Sequence, residues 1–143
     1  MYTKQVSVFM ENRKGRLAEV TRLLSDEGIN IRAMALADMP DVGVLRLIVS
    51  DRDRCLRVLR DRGFVAQETD VIAVEIPDRP GGLHRVIDAI DRADLSIEYM
   101  YSFFRKDSDV AIGVFKIDEA VRAVETLAAN GIAVLSGDAV EKL

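Results

Sequence analysis

The stretch ENRKGRL, residues 11–17, follows a short apolar run at residues 6–10 and opens an amphipathic helical pattern. A related stretch, PDRPGGL, stands 66 positions later at residues 77–83, again between an apolar run and a helical pattern. A glycine in such a turn lets a backbone or a ligand approach closely, and the helix that follows begins with free N–H groups. The pattern predicts a strand-to-helix turn, present twice, that can hold an anion such as a carboxylate.

These two stretches belong to an internal repeat. At an offset of 66, the pairs that match are Val8 with Val74, Arg13 with Arg79, Gly15 with Gly81, Leu17 with Leu83, Val20 with Val86, Ile31 with Ile97, and Met34 with Met100. The period is too long for a solenoid unit, so each copy is expected to be a small domain. We predict domains at residues 1–70 and 71–136, and a loosely held C-terminal tail at residues 137–143.

The apolar periodicity predicts the order β-α-β-β-α-β in each copy. Strands are expected near residues 4–10, 29–37, 43–49 and 64–69, then 71–76, 95–104, 110–116 and 132–135, and helices near 15–27, 52–62, 82–93 and 119–129. This order indicates an α+β chain of two tandem ferredoxin-like modules, each with a four-stranded antiparallel sheet and both helices on one face.

Glycines and acidic residues mark the expected helix ends. Gly28, Gly63 and Gly131 stand where left-handed C-terminal caps are expected. Ser50 or Asp51 is expected to cap the second helix, and Asp118 the fourth.

The strands are apolar on both faces, as where Val44 and Ile48 alternate with Leu45 and Leu47. Solvated sheet faces are usually polar, and a large exposed apolar face marks an interface. We therefore expect the two copies to pair with each other and the chain to form a homodimer.

The sequence lacks the residue clusters that catalysis and cofactor binding require. The single histidine, His84, is expected to be exposed, and the single cysteine, Cys55, to be a buried structural thiol. There is no metal-ligand spacing and no phosphate-binding glycine motif. We expect no enzyme activity, no cofactor and no metal.

Charge and hydropathy argue against two classes of partner. The net charge is −4, and the strand at residues 43–49 has one arginine and no aromatic residue, so nucleic acid is not expected. No apolar run approaches the roughly 20 residues of a membrane helix, and residues 1–5 do not resemble a signal peptide. With a single cysteine, this predicts a cytoplasmic protein.

The stretch at residues 11–17, followed by GINI at residues 28–31, resembles the signature of ACT domains. These are small amino-acid-sensing modules, familiar as the serine-responsive domain of D-3-phosphoglycerate dehydrogenase. Nearly the whole chain is similar to the free-standing tandem ACT proteins of bacteria. The resemblance implies that the loop backbone and two asparagines, here Asn12 and Asn30, hold a free amino acid where neighbouring modules meet.

The resemblance implies ligand-binding residues in both modules. They are Asn12, Arg13, Lys14, Gly15, Asn30 and Ile31 in the first module, and Asp78, Gly81, Gly82 and Ser96 in the second. In the second module Asp78 replaces the first asparagine and would repel a carboxylate, while Ser96 replaces the second and is shorter. From spacing alone, the favoured interpretation is that Asn12 caps the first helix and Asn30 stabilises a turn.

Two pairings of modules remain open. If the two modules of one chain lie side by side, the sites combine Asn12 with Ser96 and Asp78 with Asn30; if the first modules of two chains pair, Asn12 meets Asn30. Serine-binding relatives often have a polar residue one position before the Glu-Asn pair, where this chain has Met10. This residue predicts a ligand with an apolar or aromatic side chain.

The leading hypothesis is therefore a regulatory protein that senses a free amino acid, or a related small carboxylic acid, and signals to a separate metabolic enzyme. The alternative is a structural or regulatory subunit that docks on such an enzyme through its apolar sheet and binds no metabolite. A small enzyme on this fold is disfavoured by the missing catalytic cluster.

Overall fold

The computed structural model describes residues 2–11, 13–38 and 40–143. Its elements are β1 (Thr3–Glu11), α1 (Arg16–Asp26), β2 (Ile31–Asp38), β3 (Val42–Val49), α2 (Arg52–Asp61), β4 (Val65–Pro77), α3 (Gly82–Arg92), β5 (Ile97–Phe104), β6 (Val110–Ile117), α4 (Ala120–Ala129), β7 (Val134–Leu135) and α5 (Gly137–Glu141). They form two compact units. The first unit is Lys4–Thr69; the second is Asp70–Glu141 together with residues 2 and 3.

The sheet of the first unit has the strand order β2-β3-β1-β4, with β2 at its edge. β3 pairs antiparallel with both neighbours, so that Leu45 stands opposite Val8 in β1 and Leu36 in β2. The amphipathic faces of α1 and α2 bury Leu24 and Leu59 in one hydrophobic cluster with Val8 and Leu45. Burying a leucine side chain contributes about 1.5–3 kcal/mol, which holds both helices on this face.

The second unit repeats this arrangement with the order β5-β6-β4-β7 and antiparallel pairing throughout. Its core combines Val74, Ile90, Phe115 and Leu127. Even the irregularity at the start of β2, between Ile31 and Ala33, recurs between Ile97 and Tyr99 in β5. The predicted α+β class and doubled ferredoxin-like fold are confirmed.

Several local predictions are also confirmed. Gly28, Gly63 and Gly131 have φ of 70°, 82° and 70°, the left-handed conformation expected after a helix. Asp51 caps α2, its carboxylate accepting from the Arg54 N–H at 3.1 Å. On the sheet face away from the helices, Ile48 and Ile112 are fully buried. The pairing of the two copies and the homodimer stay predictions.

Asp118 does not cap α4, and that prediction was wrong. The N-cap of α4 is Glu119, and the Asp118 carboxylate instead accepts from the backbone N–H groups of Ser96 and Glu119, each at 3.0 Å. The hydrogen bond between Asp118 and Ser96 connects the residue before β5 to the residue after β6. The first unit has an equivalent hydrogen bond between Asn30 and Ser50, where the Asn30 N–H donates to Ser50 Oγ at 2.9 Å.

The C-terminal residues differ most from expectation. Residues 137–143 are not a loosely held tail, because they include α5 and its Val140 is fully buried. A side chain at Gly137 would lie 3.0 Å from the Tyr2 carbonyl oxygen, and Tyr2 itself packs against the core of the second unit. β4 is one uninterrupted strand of 13 residues where two strands were predicted, and β7 has only two residues.

No helix in the described part of the chain is both long and apolar enough to cross a membrane.

The hydrogen bonds accepted by the Asp118 carboxylate predict that the stability of the protein depends on pH. Hydrogen bonding from the Ser96 N–H, the largest cause, lowers the pKa of this carboxyl below its ordinary 3.8. A carboxyl with a lowered folded-state pKa contributes stability above its unfolded pKa and loses it as the pH falls through the folded pKa. We expect Asp118→Ala to lower the thermal unfolding midpoint at pH 7, with the difference from wild type disappearing well below pH 3.8.

The matched control is Ser50→Ala, which removes the equivalent acceptor of the first unit without removing a charge. This substitution should lower the free energy of unfolding by about 1 kcal/mol, the contribution of one hydrogen bond, and by the same amount at pH 7 and at pH 3. Melting curves across this pH range compare the two variants. If Asp118→Ala lowered the unfolding midpoint in acid as much as at pH 7, the role assigned to the carboxylate would be contradicted.

Candidate functional site

The glycine of the strand-to-helix turn has the same backbone conformation in both units. Gly15 and Gly81 precede α1 and α3 with φ of 93° and 87°. This left-handed region is strained for residues that carry a Cβ, so glycine is the favoured residue at both positions. The carbonyl oxygens of both glycines then accept the first helical hydrogen bonds, from Glu19 and Arg85, at 3.0 Å each.

The predicted site residues of the first turn lie at the surface. Asn12 falls outside the described residues. Arg13 and Lys14 are exposed, and Arg13 Nε lies 3.3 Å from a carboxylate oxygen of Glu11. The position of Gly15 is open, because an added Cβ would meet no atom within 4 Å.

A cavity of about 270 Å³ lies at this turn, between the start of α1 and the edge strand β2. Its lining residues are Met10, Glu11, Arg13, Arg16, Leu17, Leu36, Ala37 and Gly43. The set combines two guanidinium groups and one carboxylate with apolar side chains from three different elements. We call it the first-turn cavity.

Arg16 is the functional candidate that sequence reasoning missed. Its Nη1 lies 2.9 Å from Glu19 Oε2, and its guanidinium carbon stands 4.3 Å from the centroid of the Phe64 ring. Its Nε is buried and has no hydrogen-bond partner among the described residues. The available signal was its place directly after Gly15, but the helical periodicity put Arg16 on the outer face of α1.

Asn30 and Ile31 line a different cavity, a broad one of about 400 Å³ at the C-terminal end of α1. The backbone of Asn30 is held by Ser50 through two hydrogen bonds of 2.9 Å, and its side chain is exposed. The two cavities share no lining residue. Within the described first unit, Asn30 is therefore not brought to the turn.

In the second unit the turn is more tightly packed. Gly82 is buried, and a Cβ at this position would overlap the Pro77 carbonyl oxygen. Asp78 is exposed, and its N–H donates to the Asp109 carbonyl at 2.8 Å. Ser96 is exposed too, and its backbone N–H donates to the Asp118 carboxylate. A smaller cavity of about 150 Å³ includes Pro77, Gly82 and Arg85.

The remaining reactive side chains are where the sequence placed them. His84 is exposed, and Cys55 is fully buried. Burial, with a smaller contribution from Asp51, raises the pKa of the Cys55 thiol to about 12. The thiol is therefore not a nucleophile at neutral pH. In the described residues, no group of three or more histidine, cysteine and acidic side chains could hold a metal ion.

Comparison with known proteins identifies the family. The model of the ACT domain pair family matches residues 1–143. The chain is an ACT domain pair. The resemblance seen in the turn sequence is thus confirmed over both units.

Solved structures show the same architecture. Protein BT0572 from Bacteroides thetaiotaomicron is 38% identical, with a TM-score of 0.93 over 100% of this chain and 98% of that one. The regulatory subunits of aspartate kinase from Thermus thermophilus and Thermus flavus are 18% and 19% identical, with TM-scores of 0.63 and 0.62. The alignments cover 89% of this chain and 91% of the first subunit, and 90% of both chains for the second. At these identities the subunits show the fold alone. No curated protein matches the sequence.

The packing of the second turn gives a testable prediction. We expect Gly82→Ala to lower the free energy of unfolding by about 1–3 kcal/mol, because the methyl group must displace the Pro77 carbonyl. Gly43→Ala is the matched control, since its methyl group would meet atoms only at an ordinary 3.8 Å. Urea denaturation should show a change within about 1 kcal/mol for the control. Equal effects of the two substitutions would contradict the close packing at Gly82.

Proposed function

We propose that this ACT domain pair is a non-catalytic regulatory protein that binds a free amino acid at its strand-to-helix turn and passes the signal to a separate metabolic enzyme. The observation that carries the proposal is the first-turn cavity, which places charged and apolar side chains beside a left-handed glycine and a helix start. ACT domain pairs generally bind amino acids for regulation, which supports the same class of ligand.

The residues of the cavity suit a zwitterion. The carboxylate of an amino acid needs donors, which guanidinium groups and the free N–H groups of a helix start supply. The ammonium group needs acceptors, which the Glu11 carboxylate and backbone carbonyls supply. Both sets of groups lie within one turn, so a ligand as small as an amino acid can reach them together.

The proposal includes a homodimer. Asn12 and Asn30 are both expected to contact the ligand, yet Asn30 lies in a cavity separate from the turn of its own unit. A homodimer in which the first units of two chains pair would bring the Asn30 of one chain to the turn of the other. Of the two pairings left open by the sequence, this one yields the site with both asparagines.

A docking subunit without a metabolite is the second candidate. The observation that favours it is Phe104, which ends the edge strand β5 with 69% of its surface exposed. Contact with a partner protein would bury this aromatic side chain and remove its apolar surface from water. The two candidates differ in ligand binding: a docking subunit keeps its partner whether or not an amino acid is present.

A thermal-shift and calorimetry panel of the common amino acids tests the proposal. A ligand at 100 times its Kd should stabilise the fold by about 2.7 kcal/mol. We expect at least one amino acid to bind, and Asn12→Ala and Asn30→Ala each to abolish the shift. Gln67→Ala is the control, because it removes an exposed amide from β4, away from both cavities. A folded protein that responds to no amino acid would favour the docking subunit.

Mixing two inactive variants tests the homodimer. In a mixture of Asn12→Ala and Asn30→Ala chains, a mixed dimer contains one site with both asparagines intact. We expect the mixture, after subunit exchange, to recover up to a quarter of the wild-type binding capacity. If each site were built from one chain alone, the mixture would bind nothing, and sedimentation of the wild type would independently report the oligomeric state.

A further inference from the structure

We infer that the first-turn cavity is the single ligand site of each chain, that Arg16 binds the ligand carboxylate there, and that the ligand is an amino acid with an apolar side chain. The inference rests on the proposed function and adds the ligand class, the anion-binding residue and the number of sites. It follows from the apolar lining of the cavity, the place of Arg16 in that lining and the differences in the second unit.

The walls of the cavity are largely apolar. Met10 is nearly buried, Leu17 comes from α1, and Leu36 stands on the edge strand with 53% of its surface exposed. Leu36 lies opposite Leu45, a member of the core, and therefore shares the sheet face that carries the helices. An apolar ligand side chain would cover the exposed part of Leu36, whereas the side chains of Met10, Leu17 and Leu36 offer no hydrogen-bond partner to a hydroxyl or a charge.

Arg16 supplies the charge. One edge of its guanidinium meets Glu19, but the buried Nε has no acceptor among the described residues. Arg16 also lines the first-turn cavity, so its guanidinium is available to an acceptor that a ligand brings into the cavity. A carboxylate accepts two parallel hydrogen bonds from a guanidinium, which makes it the acceptor that fits this residue best. Stacking on Phe64 holds the group in place.

The second unit lacks these features. Gly82 stands at the position of Arg16, so no guanidinium is available, and the space of its missing side chain is occupied by the Pro77 carbonyl. Ser102, opposite Gly113, replaces Leu36 on the edge strand. Arg85 lines the smaller cavity but donates to the Asn130 carbonyl at 2.8 Å. One ligand per chain follows from these differences.

Calorimetry with four probes tests the inference on the full chain. We expect L-leucine to bind at one per chain, and L-serine and L-lysine to bind at least tenfold more weakly. L-leucinamide keeps the side chain and the ammonium group but lacks the carboxylate, and should also bind at least tenfold more weakly than leucine.

Substitution of Arg16 should remove the preference for the carboxylate. In Arg16→Met, leucine and leucinamide should bind with similar, weak affinity, because the group that distinguishes them is gone. Arg16→Lys should recover part of the preference. Arg22→Met is the control, since Arg22 is on the same helix but lines a neighbouring cavity, and its affinities should equal those of the wild type.

The outcomes separate the inference from the proposed function. Stronger binding of serine or lysine, two ligands per chain, or an Arg16→Met variant that still prefers leucine over leucinamide would each overturn the inference and leave an amino-acid sensor. Binding of none of the twenty common amino acids would overturn both. If Arg16→Met does not fold, the comparison of leucine with leucinamide on the wild type and on Arg16→Lys decides.

Discussion

The left-handed backbone of a single glycine determines where the first helix of each unit begins. At Gly15 and Gly81 the chain leaves a central strand, turns within a few residues and starts a helix against the same sheet. The position of that helix fixes which of its residues face the edge strand. In the first unit this places Arg16 and Leu17 near Leu36 and encloses the cavity. A different backbone at this position would move the helix and the cavity with it.

The two units show how one backbone carries different side chains. A strand start is tied to a strand end in both, but a serine hydroxyl accepts the hydrogen bond in the first unit and an aspartate carboxylate in the second. At the turn, an arginine in one unit is a glycine in the other. The glycine before each helix has the same left-handed conformation in both units. At the next position the units differ, because the Pro77 carbonyl leaves room only for Gly82 in the second unit.

Local patterns in the sequence were sufficient to predict most of the fold. Apolar periodicity located both helices of each unit, and glycines at positions 28, 63 and 131 marked helix ends, because these effects depend on residues close in the chain. The sequence did not reveal α5, since its stability depends on burying Val140 against distant residues. Asp118 was misassigned for the same reason: its partner, Ser96, is 22 residues away.

The site was predictable only in part. The turn was recognisable because glycine is the residue that adopts its conformation at low cost. Arg16 was not, because its place beside the cavity depends on Phe64 and Leu36, which periodicity in α1 does not show. The separation of Asn30 from the turn depends on the length of α1, which puts the two at opposite ends of one helix.

The grouping of residues 2 and 3 with the second unit limits where the chain can be divided. Residues 2 and 3 belong to the second unit, and Tyr2 lies against its core beside the start of α5. The beginning of the first sequence copy is thus part of the second unit. A chain divided after Thr69 would leave the second unit without Tyr2, one of the side chains that pack against its core.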